Sequence, residues 1–142
     1  MKTMSTHIIQ TNGAAIRIAD GGGGEPALVF LHYWGGSART WHRVIERLGS
    51  QVRSVAIDQR GWGGSIATDG RYDLAAMADD VERVLRVLEL RRYVLVGHSM
   101  GGKVAQIVAT EPPQPRWSTA TQRTRPPSRS ITRRQVRAEP PQ

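Results

Sequence analysis

The stretch Tyr93-Val94-Leu95-Val96-Gly97-His98-Ser99-Met100-Gly101-Gly102 decides how this chain is read. Its first four residues are apolar, as expected of a strand buried on both faces. A helix is predicted soon after, over residues 103–110, and Gly97-x-Ser99-x-Gly101 fills the turn between the two. A G-x-S-x-G sequence between strand and helix is the setting of a nucleophile elbow. Such a turn is so sharp that the serine holds strained dihedrals, and the flanking glycines remove Cβ atoms that would clash. Ser99 is therefore the candidate nucleophile. The backbone N–H of Met100, at the start of the helix, is aimed at the same spot and can stabilise an oxyanion. The bland reading is a glycine-rich turn with an incidental serine. The same glycines also nearly spell a phosphate loop, Gly97-x-x-x-x-Gly102-Lys103, but Val104 stands where a Ser or Thr must reach magnesium. A dinucleotide fingerprint fails because Ser99 occupies the place of its second glycine.

Working outward, residues 1–110 alternate between strand and helix signals. Residues 8–10 and 14–19 flank Asn12-Gly13, a pair suited to a tight hairpin turn. Residues 27–31 (Ala-Leu-Val-Phe-Leu) form an all-apolar strand. Trp41, Val44, Ile45 and Leu48 then recur at helical spacing, with Gly49 placed to end the helix. Residues 52–57 are strand-like. Asp73 is positioned to cap a helix with the stripe Leu74, Met77, Val81, Leu85 and Leu88. This order predicts crossover helices and a mostly parallel sheet of about five strands.

Two further loops follow predicted strands. His32-Tyr33-Trp34-Gly35-Gly36-Ser37 comes directly after residues 27–31, where a loop can supply a second oxyanion N–H. Equally, it reads as a plain turn with aromatics packed beneath it. Asp58-Gln59-Arg60-Gly61-Trp62-Gly63-Gly64-Ser65 follows residues 52–57. It reads best as a structural turn, with a local Asp58–Arg60 ion pair available. His7 and His42 have no partner in view and read as surface or packing residues.

Composition divides the chain. Residues 1–110 carry 13 Lys+Arg against 10 Asp+Glu, whereas residues 111–142 carry 7 Arg against 2 Glu. Seven of the eight prolines and none of the fifteen glycines lie in that last segment. Such composition does not bury enough surface to offset chain entropy, so residues 111–142 are expected to be a disordered tail beside a domain at 1–110. The functional reading of the tail is a basic arm that binds nucleic acid, but basic disordered tails are often merely solvated. There is no cysteine, which excludes disulfides and thiolate metal sites. The polar start at residues 1–6 lacks the apolar core of a signal peptide, and no run approaches the ~18 residues of a membrane span. A cytoplasmic protein away from membranes is expected.

The three loop motifs, in this order and spacing, resemble the α/β-hydrolase superfamily, most closely its esterase, haloperoxidase-like and epoxide-hydrolase-like branch. Its signatures His-Gly-x-x-Gly-Ser, Asp-x-Arg-Gly-x-Gly-x-Ser and Gly-x-Ser-x-Gly correspond to residues 32–37, 58–65 and 97–101. The resemblance covers residues 8–110 and departs at Tyr33, where glycine is usual. It implies the N-terminal part of an α/β-hydrolase fold. It also implies Ser99 as nucleophile, with Trp34 and Met100 giving oxyanion N–H groups. An ester-like small-molecule substrate follows from it, with no cofactor and no metal.

The family triad runs Ser, then Asp or Glu, then His. After Ser99 this sequence has no Asp and no His, and its only later acids are Glu111 and Glu139. A serine without a base is a poor nucleophile, so a truncated and inactive chain is expected. The abrupt change of text near residue 111 suggests an out-of-frame tail: with suitable codons Gln114-Pro115-Arg116-Trp117 shifted by one base reads Ser-Leu-Ala-Gly. An unbroken frame to Gln142 on independent DNA would remove that explanation. The rival functions are phosphate binding through Gly97 to Lys103 and nucleic-acid binding through the arginine-rich tail.

Overall fold

The computed structural model describes residues 3–110. The expected domain at 1–110 therefore lies almost wholly within it. The proposed tail at 111–142, with its disorder, basic-arm and reading-frame expectations, lies outside the described residues.

A hairpin opens the fold: β1 (Ser5–Thr11) and β2 (Ala14–Asp20) pair antiparallel from Thr11↔Ala14 outward. Of the Asn12-Gly13 pair only Gly13 has positive φ, at 89°. A Cβ there would also fall 2.0 Å from Asp69 Oδ2. The inward positions of β2 alternate strictly: Ala14, Ile16, Ile18 and Asp20 are buried.

β3 (Ala27–Leu31), β4 (Arg53–Ile57) and β6 (Tyr93–Gly97) form the parallel part of the sheet, β4 and β6 lying either side of β3. β2 joins β4 antiparallel, giving the order β1-β2-β4-β3-β6. A sixth strand, β5 (Ile66–Ala67), pairs with the start of β2. The sheet is thus mixed, parallel where helices connect its strands and antiparallel at its N-terminal side. β5 was not anticipated, because two residues are too short to show a period.

Three helices flank the sheet. α1 (His42–Leu48) follows a 3₁₀ turn, Ala38–Trp41, and Gly49 at φ 59° ends it. Trp41, Ile45 and Leu48 face the sheet, but Val44 is exposed, so the predicted stripe is narrower than expected. α2 (Leu74–Val87) is capped by Asp73, whose carboxylate accepts the Ala76 N–H. Its buried stripe runs through Met77, Val81 and Leu85, as predicted. α3 (Met100–Thr110) begins three residues earlier than predicted, since glycines 101 and 102 lie inside it.

The core has two parts. The larger lies between the sheet and the packed pair α2 and α3, around Ile16, Val29, Leu31, Val55, Val81 and Val104. The smaller lies on the opposite face, where Phe30 and Ala56 meet Ile45 and Trp41. β6 departs from expectation. It was expected to be buried on both faces, yet Tyr93 and Val94 are exposed. The reason is its place in the sheet: among the described residues it pairs only with β3.

Candidate active site

The loop after β3 leads to α1 on one face of the sheet, and the turn after β6 leads to α3 on the other. Neighbouring parallel strands whose connections leave in opposite directions open a crevice at their carboxyl ends, the usual ligand site of such sheets. The 32–37 loop and the 97–101 turn stand on either side of it.

The turn after β6 is very tight. Only His98 and Ser99 separate the last residue of β6 from the first of α3. Ser99 has φ 53°, a left-handed conformation shared by only one other non-glycine residue among those described. Both flanking glycines are sterically required. A Cβ on Gly97 would meet the Gly101 carbonyl oxygen at 2.3 Å, and one on Gly101 would meet the Leu31 carbonyl oxygen at 2.1 Å. The His98 N–H also donates to the Leu31 carbonyl (3.2 Å), tying the turn to the end of β3. Ser99 is exposed, and its carbonyl accepts the Lys103 N–H (3.2 Å) as α3 begins. Met100 buries its side chain, and its N–H, first in the helix, has no intrahelical acceptor.

Across the crevice, residues 33–36 make a turn closed by Gly36 N–H to the Tyr33 carbonyl (2.9 Å), with Gly35 at φ 79°. Trp34 sits at the tip, 66% exposed, with its ring edge-on to Trp62 at 4.7 Å. The alternative of aromatics packed beneath this turn is therefore corrected: they stand on its rim. Tyr33, the departure from the family pattern, packs edge-on against His98 at 5.5 Å. Ring contacts thus join Trp34 to Trp62 and Tyr33 to His98, the residue before Ser99, a grouping that sequence spacing did not reveal.

His32 is fully buried and belongs to the scaffold. Its Nδ1 lies 2.7 Å from the Tyr33 carbonyl, and its Nε2 accepts the Gln59 N–H at 3.0 Å. A carbonyl on one side and an N–H on the other fix a neutral ring protonated at Nδ1. Burial pushes its pKa down, against the opposing pull of the Tyr33 carbonyl and of Asp58. Gln59 returns a bond from its side-chain N–H to the His32 carbonyl (2.8 Å), so the loops after β3 and β4 are latched twice.

Asp58 and Arg60 do not pair with each other, which corrects that expectation. Asp58 accepts the Ala38 N–H (2.7 Å), the Gly64 N–H (2.9 Å) and Arg17 (3.2 Å). It thereby anchors the helical turn that follows the 32–37 loop. Gly63 at φ 56° leaves the necessary room, since a Cβ there would lie 2.3 Å from Asp58 Cγ. Arg60 points the other way, wholly buried, in a two-pronged bond to Asp80 (2.7 and 2.9 Å) and a bond to Asp69 (3.0 Å). The Asp80 hydrogen bond holds the guanidinium firmly charged. The structural reading of residues 58–65 agrees with these contacts. His42, expected to lack a partner, lies 3.3 Å from Glu46.

Residues 26–121 match the family described as alpha/beta hydrolase fold. The chain belongs to that family. Among its relatives, a fluoroacetate dehalogenase of a Burkholderia species is 36% identical over 97 residues, 65% of this chain and 32% of that protein. A dihydrolipoyllysine-residue acetyltransferase component of an acetoin cleaving system, from Cupriavidus necator, is 35% identical over 103 residues, 72% of this chain and 28% of that one. Among solved structures, epoxide hydrolase A from Mycobacterium thermoresistibile superposes with a TM-score of 0.69 at 30% identity, covering 75% of this chain and 35% of that. The chain thus spans about a third of the length of these relatives. Among the described residues no helix is long and apolar enough to cross a membrane, and no three His, Asp or Glu side chains form a metal-binding group.

Proposed function

We propose that this chain carries the nucleophile and oxyanion half of a serine hydrolase acting on ester-like bonds in small molecules. The left-handed Ser99 held between two glycines that admit no side chain carries the reading. Strain of this kind persists where the surroundings over-determine it, and it is concentrated at active sites. In the proposed reaction Ser99 Oγ bonds to the ester carbonyl carbon. The carbonyl oxygen takes up the negative charge, and the N–H groups of Met100 and Trp34 donate to it. Collapse breaks the bond to the leaving alkoxide, which is protonated from solvent. Release of the acyl group from Ser99 would need a water activated by a base, and the 142-residue chain has no Asp or His after Ser99 to serve as one. The relatives named as a dehalogenase and an epoxide hydrolase support a small-molecule substrate.

The hydroxyl proton of Ser99 passes to solvent hydroxide in this scheme, because no side chain is placed to take it. No Asp or His follows Ser99 in the sequence. Both nitrogens of His32 are already engaged, and among the described residues the Ser99 hydroxyl has no hydrogen-bond partner. The 142-residue chain is therefore proposed to acylate slowly and not to turn over. Intact-mass analysis after incubation with a fluorophosphonate tests the assignment. One adduct, lost in Ser99→Ala, supports it; an adduct retained in Ser99→Ala overturns it.

A further inference from the structure

The hairpin turn Asn12-Gly13 brings together the parts of a chemical reaction. Asn12 is the only asparagine of the chain, and it is exposed at the tip between β1 and β2. Among the described residues neither its side-chain amide nor the Gly13 N–H has a hydrogen-bond partner. Gly13 also has no Cβ to shield its nitrogen. The Asn12 carbonyl, in contrast, accepts from Arg60 Nη2 at 3.2 Å. That carbonyl belongs to the same peptide group as the Gly13 nitrogen. Negative charge placed on the nitrogen therefore spreads onto an oxygen that a buried guanidinium already holds. A charged donor set in advance where negative charge develops acts as an oxyanion hole does. Asp69 lies against Gly13, but its carboxylate is itself paired with Arg60 (3.0 Å) and accepts the Arg71 N–H (2.9 Å).

We propose that Asn12 is a self-modification site, converted to isoaspartate by the backbone nitrogen of Gly13 with Arg60 promoting the step. Hydroxide takes the Gly13 amide proton, and the nitrogen attacks Asn12 Cγ. The N–Cγ bond forms, the bond from Cγ to the side-chain nitrogen breaks, and that nitrogen leaves as ammonia with a proton from water. Water then opens the resulting succinimide by breaking the bond between the Asn12 carbonyl carbon and the Gly13 nitrogen. The chain now runs through Cβ and Cγ of residue 12, and the free carboxylate stands on the former carbonyl carbon. Arg60 serves both steps. It holds the charge of the deprotonated peptide group, and it polarises the carbonyl that water attacks. The product carboxylate is left beside Arg60 as a third acid, with Asp69 and Asp80. The extra backbone carbon enters a two-residue turn next to the Thr11↔Ala14 pair.

The test incubates the full chain at about pH 8 beside a synthetic peptide of residues 8–17. The chain should gain about 1 Da, with residue 12 becoming a substrate for a protein-isoaspartate methyltransferase. Asn12→Gln should abolish both signals. The folded chain should react at least about threefold faster than the peptide, which has the same Asn-Gly pair but no Arg60. Arg60→Lys, checked for folding by far-UV circular dichroism, should bring the rate down to that of the peptide. No isoaspartate at residue 12, or signals that persist in Asn12→Gln, overturns the proposal. So does a folded chain that reacts no faster than the peptide, a comparison that holds whether or not Arg60→Lys folds. A folded Arg60→Lys chain that reacts as fast as the wild type overturns the part given to Arg60.

Discussion

Gly101 lies so close to Leu31 that a single added Cβ would sit 2.1 Å from the Leu31 carbonyl oxygen. This contact seats the start of α3 on the end of β3 and so sets where Ser99 stands. Gly101→Ala must therefore displace backbone, not a flexible side chain. It should lower stability by roughly 2–4 kcal/mol in denaturant melts. Gly102→Ala, whose Cβ would have a nearest neighbour at 3.4 Å, should cost under about 1 kcal/mol.

The backbone at Ser99 carries its own cost. A non-glycine residue in the left-handed region is disfavoured by roughly 1–2 kcal/mol, partly offset in a glycine variant by the greater entropy of its unfolded chain. Ser99→Gly should thus raise the unfolding free energy by up to about 1 kcal/mol over Ser99→Ala, while both lose the fluorophosphonate adduct. Equal stabilities would show that the turn is not strained at this residue.

Stability should depend on the protonation of His32. Burial lowers its pKa in the folded chain, so near neutrality the unfolded state binds the proton more readily. The contribution is fully present above the unfolded value of about 6.5 and is lost as pH falls below it. The reason is local: a protonated Nε2 would point a hydrogen at the Gln59 N–H. The unfolding free energy should fall by at most about 1.4 kcal/mol per pH unit between about pH 6.5 and 5 from this group. In His32→Gln the slope over that window should flatten.

Arg60 and Asp80 form a buried charge pair, with Asp80 also accepting from the Thr11 hydroxyl. Removing Arg60 leaves the Asp80 carboxylate buried without its cation. Arg60→Ala should destabilise by about 3–5 kcal/mol, and Arg60→Met combined with Asp80→Leu by distinctly less than the sum of the single changes. Additive losses in that double-mutant cycle would mean the pair is not coupled.

Local chemistry was legible in the sequence, and long-range partnership was not. The tight glycine-flanked turn at residues 97–101, the Asn12-Gly13 hairpin, the Gly49 stop and the Asp73 cap each depend on residues within a few positions of one another. Sequence proximity pairs Arg60 with Asp58, whereas its partner Asp80 comes from α2. A signal existed: Asp80 lies three residues after Met77 and four before Val84, so it falls on the apolar stripe, where a lone carboxylate needs a buried cation. His32 read as part of an oxyanion motif, and only tertiary contact with Gln59 identifies it as a latch. The exposure of β6 could not be read either, because an all-apolar run says nothing about how many neighbours the strand has.

The most direct test is the rate of Ser99 modification by a fluorophosphonate between about pH 7 and 9, read by intact mass alongside Ser99→Ala. A serine with no histidine base reacts through its own alkoxide, so the rate should climb about tenfold per pH unit without a plateau. Labelling should stop at one adduct, and ester turnover should not exceed that of Ser99→Ala. A wild-type chain that stays folded yet is never labelled, or is labelled equally in Ser99→Ala, would contradict Ser99 as nucleophile. A plateau near neutral pH with multiple turnovers would contradict the absence of a base.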